Sequence, residues 1–137
     1  MGVFTVPNPN YNQTVTIFNK YKEAGKEVWK RTVLHNCFWK CETHTSFAGT
    51  QAAKSNTYTV RIPKSAKYCS PNNFPKDGFF TLNAGDLCIL GDVEEVITGA
   101  SGNTATDVLQ KYKPNAFKIA TVSDNTAFVG CHYRVGG

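Results

Sequence analysis

The chain has 137 residues, a formal net charge of +5, and 41% hydrophobic and 12% aromatic residues. That length suits one domain with a real core and is short for two. The composition is globular rather than disordered, and the absence of any run of about eighteen apolar residues leaves no helical membrane span. The mild basicity would suit nucleic acid or an acidic protein surface, yet lysines and arginines are spread along the whole chain, as on an ordinary solvated surface.

Residues 1–13 contain the run PNPNYN. They predict an extended N-terminal arm, because proline cannot join the interior of a sheet ladder. Phe4 and Tyr11 make it a docking arm, either on its own body or on a neighbouring subunit. The start lacks the basic and apolar regions of a secretory signal, and Val6 stands where a myristoylation signal prefers Ser or Thr. The expectation is a chain that stays in the cytoplasm where it is made, with residues 14–137 as a single domain.

In residues 14–18, Val15 and Ile17 alternate with Thr14, Thr16 and Phe18, which predicts a half-buried strand. Residues 20–26 (KYKEAGK) form the turn, with Gly25 supplying a positive φ, and Val28, Trp29, Val33 and Leu34 carry the return strand. Asn36 is expected to break that strand before a third begins at Cys37. Residues 43–56 (THTSFAGTQAAKSN) are small and polar without a usable period, so they read as an unusually long loop of the functional kind. Strict alternation returns over residues 57–62 (TYTVRI), with Tyr58, Val60 and Ile62 on one face.

Residues 64–78 form a second long connection with Pro71 and Pro75. Residues 79–97 predict a short strand over 79–82, a turn at Asn83-Ala84-Gly85-Asp86, and an almost wholly apolar strand, Leu87 to Leu90. That strand is buried on both faces or closes a barrel, and residues 94–97 continue it. A third loop follows over residues 98–106. A short helix near residues 107–113 is capped by Thr106 or Asp107 and stopped by Pro114. Residues 116–123 and 127–135 make a closing hairpin turned by Asp124-Asn125-Thr126. The fold class is mainly β: a small β-barrel or sandwich with long loops and one short helix.

The residues offer little catalytic chemistry. His35, Cys37, Cys41 and His44 cluster locally, but on a strand Cys37 and Cys41 lie roughly 13 Å apart. That is beyond disulfide reach of about 7 Å and too far for a shared metal. The five cysteines are read as reduced thiols, several of them buried as small apolar side chains. Asp86, Asp92, Glu94 and Glu95 do not match a calcium loop and read as solvated turn acids. No nucleophile elbow, zincin or phosphate-loop pattern occurs, so no enzyme, cofactor or metal is expected. The interleaving of Lys20, Tyr21, Lys22, Trp29, Lys30, Arg31, Trp39 and Lys40 would suit a single-stranded nucleic-acid-binding barrel. The alternative is a hairpin whose aromatics are core and whose lysines protect an edge.

The order TVTIFNKY, GKEVWKRTV, FW, a long small-residue loop, TVRIP and GDLCILGDV resembles one group of proteins. It is similar to the head-completion (stopper) or head–tail adaptor proteins of tailed bacteriophages, with Val28-Trp29 and Phe38-Trp39 in the motif positions. It also resembles uncharacterised proteins of phage structural-gene modules. The resemblance spans roughly residues 14–97. It implies a β-barrel that assembles as a homo-oligomeric, dodecameric ring beneath the portal, joins head to tail and helps retain the packaged DNA. Implied partners are portal or adaptor and tail proteins, with packaged double-stranded DNA nearby and no membrane. The implied place is the virion's head–tail interface, after synthesis in the bacterial cytoplasm. In that family the long loop after the early strands gates the channel, so Thr43, His44, Thr45, Ser46, Phe47, Gly49, Gln51 and Lys54 become channel residues. Phe4, Tyr11, Tyr68 and Phe74 become subunit or partner contacts. The second reading is the single-strand-binding barrel, and the third a minor capsid or decoration protein.

Overall fold

The computed structural model describes residues 11–127 and 132–137, and only the backbone of Ala48. Strands β1 (Gln13–Glu23) and β2 (Lys26–Ala48) form an antiparallel hairpin whose pairs run from Glu23↔Lys26 back to Val15↔Leu34. The turn is only Ala24-Gly25, with φ of +53° and +78°. Two successive left-handed residues match the twist of the flanking strands, so both strands extend further toward the tip than their polar sequence suggests. Asn36 does not end β2. One extra residue is absorbed between Val15↔Leu34 and Gln13↔Cys37, with Asn36 at φ +58°. This is a β-bulge, and Asn tolerates the left-handed backbone that it needs.

Past the bulge β2 leaves β1 and pairs with β3 (Gln51–Pro63), starting at Phe38↔Arg61. The remaining elements are β4 (Leu87–Leu90), helix α1 (Ala105–Tyr112), β5 (Ala116–Lys118), β6 (Thr121–Asn125) and β7 (His132–Gly136). The single antiparallel sheet has the order β5-β4-β1-β2-β3-β7-β6. Its edge strands β5 and β6 are separated in the chain by Ile119 and Ala120 alone, so the sheet doubles over on itself. The edges exchange no ladder among the described residues, and the barrel is not closed. Both halves contribute to the space between them: Val15, Ile17 and Cys88 from one, Val60, Ile62 and Val135 from the other, with Phe117 and Tyr58 stacked at 4.7 Å.

A second core lies on the opposite face of β1 and β4. There Phe18, Leu87, Ile89 and Ala116 meet Val93, Ile97 and Val108, and Trp29, Leu109 and Tyr112 flank them. Consequently Val15 to Asn19 are all buried, where alternation predicted one wet face. Helix α1 and the 93–97 segment cover what would otherwise be that wet face. The apolar strand β4 is buried on both faces, as its composition requires. Burying a side chain such as Phe18 in this way contributes about 2–3 kcal/mol. The helix is capped by Thr104, not by Thr106 or Asp107. Thr104 Oγ1 accepts from the Asp107 amide, and Asp107 accepts from the Thr104 amide, a reciprocal capping box.

Other expectations are corrected. Residues 43–56 are not a loop but the outer part of the β2–β3 hairpin. Residues 79–82 do not pair with β4; Phe80 instead bridges Tyr68 in parallel. Residues 94–97 are irregular, because Gly91 at φ +96° turns the chain away after β4. The strand expected over 116–123 divides at Ile119-Ala120, β5 joining β4 and β6 joining β7. Asp124 and Asn125 are ladder residues opposite Tyr133 and His132, so the closing turn lies beyond them. Residues 128–131, including part of the last expected strand, lie outside the described residues, as does most of the N-terminal arm.

Candidate functional site

Two features stand away from the cores. The first is the ribbon formed by the ends of β2 and β3. Thr43↔Asn56, His44↔Ser55, Thr45↔Lys54, Ser46↔Ala53 and Phe47↔Ala52 pair in unbroken antiparallel register up to a turn containing Gly49 at φ +65°. At about 3.3 Å per residue the ribbon projects roughly 20 Å past the body. Every described side chain from Lys40 to Thr57 is exposed, on both faces. That explains the missing period: a strand wet on both sides needs no apolar alternation. All eight residues expected in a channel loop (Thr43, His44, Thr45, Ser46, Phe47, Gly49, Gln51 and Lys54) lie on this ribbon. Phe47 is 76% exposed near its tip. At its base Lys40 Nζ lies 2.5 Å from Glu42 and His44 Nε2 3.7 Å from it. The Lys40 hydrogen bond and charge hold the Glu42 carboxyl below the usual carboxylate range.

The second feature is a groove on the outer face of the β2–β3–β7 half-sheet. Register places Phe38, Arg61 and Arg134 in one row, since Phe38 faces Arg61 and Arg61 faces Arg134. Lys40 and Thr59 form the next row, and Glu42 and Thr57 the one beyond. The Arg61 guanidinium sits over the Phe38 ring at 5.1 Å, and Tyr11 tilts against the same ring at 6.1 Å. Arg61 Nε is buried without a hydrogen-bond partner. Among the described residues neither arginine has a carboxylate within ion-pair distance. Three cations against one carboxylate leave the groove positive. The local signal for it was present in the alternation of Phe38 with Lys40 and of Thr59 with Arg61. The arrival of Arg134 beside them is set by strand order.

Two of the remaining expected contact residues pack against the body. Tyr68 packs on Phe80 and Tyr133, and burial pushes its hydroxyl up. Phe74 is pinned to the β1–β2 hairpin by Tyr21, edge-on at 5.6 Å, and by Lys30 Nζ at 5.8 Å. Phe4 lies outside the described residues. Trp29 and Trp39 are packing anchors, one on each core.

Cys37, Cys69 and Cys88 are buried free thiols and Cys41 is an exposed one. Of the acids read as solvated, Asp92 pairs with Arg31, and Glu95 accepts from Lys111 and Tyr112 at 2.7 Å each. Asp86 departs from that reading: it is 2% exposed, accepting from the Asn19 side chain at 2.8 Å and the Lys20 amide at 3.0 Å. Among the described residues no group of three or more His, Cys, Asp or Glu is placed to hold a metal ion. No helix among them is long and apolar enough to cross a membrane.

The fold and these two features define a mainly-β, open-sheet domain with a protruding ribbon and a basic groove. The chain belongs to a family of unknown function, DUF6751, whose profile matches residues 10–137. No curated protein and no solved structure matches it.

Proposed function

We propose that this protein is an assembly subunit of a tailed-phage virion, a head–tail connector of the stopper or adaptor type that forms a homo-oligomeric ring between portal and tail. One observation carries the reading. The ribbon over residues 43–56 is a regular ladder with no core of its own and both faces in water. An isolated two-stranded ribbon is marginal in water, so such an extension is explained by a surface on which it docks. Its place after the early strands is that of the channel segment in the phage proteins that the sequence resembles. In a ring, the surface of the body would carry the subunit contacts, and the ribbon would reach a neighbour or the channel beside packaged DNA. Phe47 at the tip would be its apolar anchor.

Mass photometry of the purified chain, followed by negative-stain electron microscopy, tests the ring. A closed oligomer of uniform size is expected, and shortening the ribbon should change its stability or channel. A strictly monomeric chain at every accessible concentration, with and without portal protein present, would remove the connector reading. The position of the gene between capsid and tail genes is an independent check.

A further inference from the structure

We propose that the groove on the outer face of the β2–β3–β7 half-sheet is a binding site for phosphate groups, of a nucleic-acid strand or free in solution. The proposal does not depend on the ring reading. Arg61 and Arg134 are directly opposed on neighbouring strands. Like charges so placed repel unless something between them is negative. Among the described residues neither arginine is within ion-pair distance of a carboxylate, and the carboxylate that lines the groove, Glu42, is engaged by Lys40. Arg61 Nε is, moreover, buried and without a hydrogen-bond partner. A guanidinium presents its donors in a fixed fork that matches phosphate oxygens, and two adjacent forks can share one anion.

The fork is also held in place. Phe38 carries the Arg61 guanidinium on its ring face, and Tyr11 backs that ring. Less side-chain freedom is therefore lost on binding than for lysines on a free surface. The Thr59 side chain lines the same groove and offers a hydroxyl donor.

The test uses the full chain. Fluorescence anisotropy follows a labelled oligo-dT and a duplex of equal length across a salt series, while thermal unfolding is followed in phosphate and in chloride at equal ionic strength. Two variants are compared, R61Q/R134Q in the groove and K22Q/K26Q at the β1–β2 turn, which lower the net charge equally. If a strand is the source, oligonucleotide affinity should fall about tenfold in the arginine variant, its log–log salt slope should flatten by about 1.4, and K22Q/K26Q should keep the wild-type slope. If free phosphate is the source, phosphate should raise the wild-type melting temperature above that in chloride and leave R61Q/R134Q unmoved. Equal losses in both variants would reduce the effect to net charge and overturn the proposal, as would failure of every probe to bind. Circular dichroism checks folding. Arg134→Gln alone, on an exposed side chain, serves if the double variant does not fold, with a flattening of about 0.7 expected.

Discussion

Replacing residues 44–55 by Asn-Gly, so that Thr43 and Asn56 flank a two-residue turn, isolates the ribbon from the body. These two residues already face one another, and Thr43 Oγ1 lies 2.9 Å from Asn56 Oδ1. The short turn is the kind that suits the twist of an antiparallel pair. All of the described side chains removed are exposed and none belongs to either core, so no cavity is left. Surface changes away from packing and caps stay within about 0.5 kcal/mol, and that is the expected loss. The denaturant slope should also stay nearly constant, because it scales with the surface exposed on unfolding and the ribbon is exposed already. Urea unfolding followed by the fluorescence of Trp29 and Trp39 gives both quantities. A loss above about 2 kcal/mol would place the ribbon in the cooperative core and refute the reasoning, because such losses come from named defects like cavities or orphaned polar groups. Deleting residues 49–55 alone is a different experiment. It removes one strand of the ladder and strands its partner.

Other consequences follow from the cores and the buried polar groups. Phe117→Ala removes a ring stacked on Tyr58 at 4.7 Å and packed on Trp39 at 5.6 Å, and should cost about 3–5 kcal/mol in urea unfolding; a cost below about 1 kcal/mol would deny it a core role. Asp86 has its pKa raised above 3.8, chiefly by burial, against the pull of hydrogen bonds from Lys20 and Asn19. The folded protein therefore holds this proton more tightly than the unfolded chain, so the stabilisation is full below the unfolded value and is lost as pH rises through the folded one. The cost of Asp86→Ala should accordingly be larger at pH near 3 than at neutrality, and unfolding midpoints showing the opposite trend would contradict the assignment. Iodoacetamide on the native protein should modify exposed Cys41 first, while Cys37, whose thiol burial pushes up to about 12, and fully buried Cys88 react only on unfolding; peptide mass spectrometry reads the order.

How far the sequence reached differs from element to element. The alternation of Tyr58, Val60 and Ile62 identified a real inner face, the apolar run Leu87 to Leu90 identified a strand buried on both sides, and Gly25 marked a real turn. Each of these signals is local, because side-chain alternation or a required positive φ acts within a few residues. Residues 43–56 failed as a strand prediction for a physical reason: pairing satisfies their backbones, yet nothing covers either face, so no hydrophobic period is written into them. The groove was legible only in part. Phe38, Lys40, Thr59 and Arg61 alternate visibly, but Arg134 lies far along the chain and reaches Arg61 only because β7 docks on β3.

By itself, then, the sequence determined a mainly-β fold, several of its strand-forming segments and the inner face of β3, since burial of apolar side chains with period two needs no partner to be recognised. Tertiary structure decided the rest. It carried β2 through Asn36 by a bulge, so that one strand serves both halves of the sheet. It laid α1 over β1 and buried a face that alternation left wet. It also set Arg61 against Arg134 on an outer face. Such placements depend on which strand lies beside which, and that order is selected by the packing of two shared cores rather than by any residue's own preference.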